Sequence, residues 1–215
     1  MSVSATEVMT GQKPEHVRNT ELGKPVTMLE AIREALWEEM ERDPTVFLIG
    51  EDIGAYGGAF KMTDGFIGHF GDRRVVDTPI AEAGFTGAAA GAAHMGMRPV
   101  VEGSVSTFLY SAMDQIANQA AKSRYMFGGQ ASVPIVIRST VYYMAAAAAH
   151  HSDRPWAMFA QIPGLKIVVP SCPHDVSGLL RAAIRDGNPV LCFDDYTLFN
   201  LKQDVPQDDY VIPLG

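Results

Sequence analysis

Short apolar runs rich in valine and isoleucine, alternating with stretches of helical spacing, restrict this chain more than any other feature. The runs are Val46–Gly50, Val75–Thr78, Pro99–Glu102, Val133–Arg138, Lys166–Val169 and Val190–Phe193. The intervening segments predict helices over Glu82–Met95, Thr107–Met126, Arg154–Gln161 and His174–Asp186. A strand that is apolar along its length must be covered on both faces, and helices between strands supply the covers. The pattern therefore predicts an α/β fold with a parallel sheet in the middle of three layers. In such sheets ligands collect beyond the carboxyl ends of the strands, so the loops there are the candidates for function.

Ahead of the first run, Thr27 is placed to cap a helix that continues to Arg42. Leu29, Ile32, Leu36 and Met40 share one face of it, and Asp43-Pro44 stops it. Residues 1–24 are polar and aperiodic and read as a flexible N-terminal arm. Residues 25–200 form the expected domain. Residues 201–215, with two prolines and no helical period, read as a linker towards a further domain absent from the chain.

Composition narrows the function. A net charge of −8 disfavours nucleic acid or an anionic membrane as partner. The longest apolar runs fall far short of the roughly 20 residues of a membrane span. The two cysteines, Cys172 and Cys192, form no metal knuckle and no disulfide framework, which fits a reduced, cytoplasmic setting.

Four segments could carry chemistry. Asp77–Phe85 places Glu82 where a strand gives way to a helix, at the mouth of the sheet; an acid there also simply favours the helix dipole. The helix that follows carries Gly84, Gly87 and Gly91. Each glycine costs about 1 kcal/mol relative to alanine, so close packing against a partner helix or its own sheet must compensate. Gly50–Gly58 is glycine-rich but lacks the Lys-Ser/Thr of a phosphate loop, and its acids would repel phosphate, so it reads as a surface or active-site loop. His150-His151-Ser152-Asp153 does not have zinc-site spacing, and a triad is not built by adjacency. It offers either a cleft acid–base histidine or a solvated pair.

Taken in order, GEDIGAYGGAFKMTDGF, RVVDTPIAEAGFTGAAAGAAHMGMRPVVE, MDQIANQAAKSRYMFGGQASVPIVIR and PGLKIVVPSCPHDVSGLLRAAIRDGNPV resemble the beta subunit of thiamine diphosphate-dependent 2-oxoacid dehydrogenases. The pyruvate, branched-chain and acetoin types share this pattern, and the resemblance runs from Thr27 to Phe199. It implies a pyrimidine-binding domain in which Glu82 activates the cofactor through the aminopyrimidine ring. It implies that Phe108 lines that ring and that His151 assists the acyl intermediate or its transfer to lipoamide. The Ile135 carbonyl, with Ala183, Asp186 and Asn188, matches a potassium site of several members; ordinary loop packing would account for the same residues.

The magnesium motif of thiamine enzymes, Gly-Asp-Gly followed by Asn, does not occur in the chain. The resemblance therefore implies an alpha subunit that binds Mg2+ and the diphosphate, a second beta chain, a heterotetramer, and a lipoyl acyltransferase core. The 2-oxoacid is not identified. A carboligase or transketolase-like subunit, or a non-catalytic assembly subunit, are the alternatives. The chain departs from the family in two stretches. The loop STVYYMAAAAAHHSD (139–153) replaces a glycine-rich sequence that often ends Gln-His-Ser-Gln, and Glu102-Gly103-Ser104 replaces a bulkier apolar one. Fewer glycines restrict the loop, and the pocket beside Phe108 is expected to differ. The family's second domain is also expected to be missing.

Overall fold

The computed structural model describes residues 25–143, 146–207 and 209–214. The arm expected over 1–24 lies outside the described residues. The described chain opens with β1 (Val26–Thr27) and α1 (Met28–Arg42). Thr27 caps α1 as its sequence predicts. Its hydroxyl accepts from the Glu30 amide at 3.1 Å, and its amide donates to the Glu30 carboxylate at 2.7 Å. At the other end Asp43 adopts an extended conformation before Pro44, as the residue preceding a proline must, and the helix stops.

Six strands follow: β2 (Val46–Glu51), β3 (Val75–Thr78), β4 (Arg98–Val105), β5 (Val136–Val141), β6 (Lys166–Val168) and β7 (Val190–Asp195). They form one sheet in the order β3-β2-β4-β5-β7-β6, parallel throughout. Successive side chains point to opposite faces, and both faces are buried. Leu48, Val100, Val136 and Val190 stand in register on one face, packed with α1 and with α6 (Pro173–Arg185). Ile49, Val101, Ile137 and Leu191 stand in register on the other, under α3 (Glu82–His94) and the segment after β4. Each such side chain contributes about 1.5–3 kcal/mol when fully buried. The described residues also include three shorter helices, α2 (Phe66–Phe70), α4 (Ser123–Met126) and α5 (Trp156–Ala160).

The chain runs from β2 outward to β3 and then returns to place β4 on the other side of β2. This reversal opens a crevice between the carboxyl ends of β2 and β4, where ligands bind in sheets of this kind.

Two expectations change. The helix read over Thr107–Met126 is a 3₁₀ helix over Ser106–Ala112, a π-helical turn over Gln115–Ala120 and then α4. Apolar spacing does not separate these helix types, and the Ser106 and Thr107 hydroxyls are committed to another loop rather than to their own turn. Beyond Asn200, β8 (Lys202–Gln203) pairs antiparallel with β1. The segment then lies along α6, where Tyr210 stacks on His174 at 4.9 Å and the Ile212 amide donates to the Gly178 carbonyl at 3.1 Å. A Cβ on Gly178 would come within 2.7 Å of both Tyr210 and Ile212, so the helix must be bare there.

Candidate active site

Glu82 lies in the first turn of α3, just past the end of β3. No side chain caps this helix, so its first amides and its positive end favour an acid at that position. Glu82 is half-buried, and its Oε2 lies 3.2 Å from Ser111 Oγ, whose one proton is shared with the Phe108 carbonyl at 2.8 Å. Asp77 at the end of β3 accepts from the Ile53 amide at 3.1 Å and anchors the glycine-rich loop after β2. A Cβ on Gly54 would lie 2.6 Å from the Asp77 carboxylate, so only glycine permits this contact. Burial first, and then the charges of Asp52, Glu82 and Asp77, push the Glu51 carboxyl above its usual range. The loop over Gly50–Gly58 thus borders an acidic mouth at the carboxyl edge of the sheet.

The 3₁₀ segment Ser106–Ala112 brings the other candidates to the same place. Ser111 bonds Glu82, and the Phe108 ring meets the His151 ring edge-on with centroids 5.4 Å apart. Thr107 Oγ1 donates to the His150 carbonyl, Ser106 Oγ to the Asp153 carbonyl at 3.2 Å, and Tyr110 OH to Asp153 Oδ2 at 2.9 Å. His151 belongs to a short 3₁₀ turn, and its Nδ1 is buried without a partner. Ahead of that turn Ala146 and Ala148 have φ of 51° and 64°, in the left-handed region that glycine adopts freely. Alanine there costs of order 1 kcal/mol per residue. Among the described residues no cluster of three or more His, Cys, Asp or Glu could hold a metal ion.

The segment Glu102-Gly103-Ser104 interrupts the regular pairing of β4. The register of β4 against β5 shifts between Glu102 and Val105, and Ser104 takes φ 48°. A Cβ on Gly103 would lie 2.7 Å from the Leu109 side chain, so the glycine lets the 3₁₀ segment sit against the strand. A cavity of about 20 Å³ lies in the crevice, lined by Glu51, Phe60, Met62, Thr63, Glu102 and Thr140. That is room for about one water molecule, with several polar partners.

Below the cavity, Arg138 pairs with both Glu102 and Asp194. Burial raises the Glu102 and Asp194 carboxyls despite the arginine, while the two acids together hold the Arg138 guanidinium protonated against its own burial. This cluster and the Ser111 and Tyr110 contacts were missed by sequence reasoning. The signal was the row of hydroxyls Ser106, Thr107, Tyr110 and Ser111 in one segment.

The potassium candidates lie at the opposite edge. The carbonyls of Ile135 and Ala183 accept from the Val190 and Asp186 amides at 3.0 and 3.3 Å. The Asp186 carbonyl accepts from Arg98 at 2.9 Å. Its carboxylate meets Lys166 Nζ at 2.5 Å and Asn188 Nδ2 at 2.9 Å. The structure brings Asp186 and Asn188 together, and each of the four positions already carries an internal partner.

Residues 24–194 match the family described as transketolase, pyrimidine binding domain. The pyruvate dehydrogenase E1 component subunit beta of Porphyra purpurea is 50% identical over 189 residues, covering 88% of this chain and 57% of the relative. The acetoin:2,6-dichlorophenolindophenol oxidoreductase subunit beta of Bacillus subtilis (strain 168) is 47% identical over 206 residues, covering 90% and 60%. A solved structure titled split gene transketolase, inactive beta4 tetramer, superposes with a TM-score of 0.67 at 19% identity, covering 87% of this chain and 57% of that one. That likeness bears on the fold. The chain spans less than two thirds of the length of these relatives. With a six-stranded parallel sheet, an acid at the β3–α3 junction and a family match across nearly all of the described domain, the chain belongs to the transketolase pyrimidine-binding domain family.

Proposed function

We propose that this chain is the pyrimidine-side half of a thiamine diphosphate site, working as the beta subunit of a 2-oxoacid dehydrogenase. The observation that carries the reading is one seven-residue turn, Ser106–Ala112, that joins Glu82, Phe108 and His151. Its donor set fits half of the cofactor. Glu82 offers a carboxyl group to a ring nitrogen, and Phe108 offers an aromatic face to a planar ring. The Mg2+ and diphosphate half has no matching motif in the sequence and is assigned to an alpha subunit.

When bound, thiamine diphosphate supplies the electron sink for decarboxylation. The chain's own part is to orient and to handle protons. Glu82, placed beside Ser111, would hold the pyrimidine ring through a ring nitrogen and supply the proton-exchanging carboxyl group there. His151, edge-on to Phe108, would serve as the acid–base group for acyl transfer. The proposed potassium position is the loop of Ile135, Ala183, Asp186 and Asn188, through lone pairs beyond those already bonded.

Exposed apolar side chains support assembly with an alpha subunit, a second beta chain and a lipoyl acyltransferase core. Ile80 and Met95 flank α3 at 76% and 85% exposure, and Tyr125, Met126 and Phe127 form a contiguous exposed run. Gly91 of α3 fits the same reading, since a Cβ there would meet nothing within 4 Å among the described residues. Among the described residues no helix is long and apolar enough to cross a membrane, and both cysteines are free; a cytoplasmic setting is proposed on the free thiols.

The test is to co-express the chain with an alpha-type chain carrying the magnesium motif. Reduction of an artificial electron acceptor by 2-oxoacids, dependent on thiamine diphosphate, is the expected result. Activity confined to aldehyde carboligation would support the transketolase-like alternative. A well-folded assembly with neither activity would leave the chain as an assembly subunit.

A further inference from the structure

His151 makes no side-chain hydrogen bond among the described residues: its Nδ1 is buried and unpartnered, and its ring contact is the edge of Phe108. An imidazole held so loosely takes its orientation from the backbone on either side. That backbone is tethered twice by hydroxyl-to-carbonyl bonds, Thr107 to His150 and Ser106 to Asp153. The third tether, Tyr110 OH to Asp153 Oδ2 at 2.9 Å, joins two side chains. It spans 43 residues of sequence and closes the turn onto the segment that carries Phe108. On the far side Arg154 lies over the Tyr143 ring at 3.9 Å and 3.8 Å from Asp195, so the chain leaving the turn is anchored separately. With Ala146 and Ala148 held at positive φ, the loop has reason to relax once a tether is cut.

We propose that the Tyr110–Asp153 hydrogen bond is a latch that sets His151 beside Phe108, making Tyr110 and Asp153 positioning residues for the acyl-transfer step. The inference rests on the role given to His151 above. Neither residue touches the reacting atoms. The latch needs only an acceptor at residue 153, so Asp153→Asn keeps it, while Asp153→Ala and Tyr110→Phe break it.

Two measurements test it. In the assembled two-chain enzyme, decarboxylation read with an artificial acceptor is separated from acyl transfer to lipoamide. In cofactor-free protein, the rate at which diethyl pyrocarbonate modifies His151 is followed by peptide mass. Tyr110→Phe and Asp153→Ala are expected to slow transfer about tenfold and leave decarboxylation within about twofold, the signature of a displaced acid–base group. Both should also speed modification of His151, and Asp153→Asn should behave as wild type in every readout. Combined with His151→Ala, Tyr110→Phe should cost nothing further, because the two act as one unit. Loss of transfer in His151→Ala with unchanged transfer and modification in Tyr110→Phe and Asp153→Ala would overturn the latch and leave the functional reading standing. A wild-type assembly without thiamine-dependent decarboxylation would overturn that reading instead, and the modification rates would still decide whether the latch positions His151.

Discussion

Ser111 Oγ lies 3.2 Å from Glu82 Oε2 and 2.8 Å from the Phe108 carbonyl, so its single proton is shared between the first turn of α3 and the segment that carries Phe108. The bond matters because Glu82 has no other side-chain hydrogen bond given by its surroundings in the described chain, and a half-buried carboxyl group swings unless something holds it. Ser111→Ala is expected to reduce thiamine-dependent turnover by roughly three- to tenfold, the worth of one hydrogen bond. Its melting temperature should stay within about a degree, since exposed substitutions cost little. Unchanged turnover would remove Ser111 from the site.

The Arg138 cluster is predicted to dominate the stability of the central strands β4, β5 and β7. Arg138 is buried between Glu102 and Asp194, and its guanidinium also donates to Met62 Sδ at 3.2 Å. Arg138→Met leaves buried Asp194 and half-buried Glu102 without their cation, and breaking such a buried pair typically costs about 3–5 kcal/mol. Thermal melts by circular dichroism would show it. A variant that melts with the wild type would mean that water reaches these acids.

The same cluster predicts a pH dependence of defined sign. Burial lifts the Glu102 carboxyl above its ordinary value, more than Arg138 lowers it, and Asp194 adds to the rise. A carboxyl group whose folded pKa exceeds its unfolded one contributes stability that is fully present below the unfolded value, about 4.3. That contribution is lost as pH rises through the folded value. Glu102→Gln keeps an acceptor for Arg138 and cannot ionise. Its melting temperature relative to wild type should therefore climb as pH rises above the ordinary carboxylate range. A difference that stays flat with pH would contradict the assignment.

The exposed face of α3 separates folding from assembly. Gly91→Ala is expected to stabilise the chain by about 0.5–1 kcal/mol, because the residue is helical and its Cβ would meet nothing within 4 Å among the described residues. Gly91→Leu should fold as well but block association with an alpha-type chain, read by sedimentation of the co-expressed pair. Normal association of Gly91→Leu would move the interface elsewhere.

The layers of the fold were legible because the strands announce themselves. Leu48–Ile49, Val100–Val101, Val136–Ile137 and Val190–Leu191 are apolar on both faces, a pattern only a doubly covered sheet satisfies. The Thr27 cap was legible for the same local reason, since Glu30 stands three residues on and completes a capping box. What could not be read was the segment after β4. Its apolar spacing is helical, but whether it winds as 3₁₀, π or α depends on contacts from loops more than 40 residues away in sequence, such as Thr107 with His150. The position of Glu82 at a strand–helix junction was visible, whereas the partners that would give it a role, Ser111 and the crevice between β2 and β4, exist only in three dimensions.

The account stands on the carboxyl group of Glu82. The direct measurement is the thiamine-dependent turnover of Glu82→Gln in the co-expressed assembly, with melting temperature and sedimentation confirming that it folds and associates as wild type does. The account predicts a fall of about 10²–10⁴-fold, the contribution of a positioned acid–base group. Wild-type turnover by a correctly assembled Glu82→Gln would contradict it.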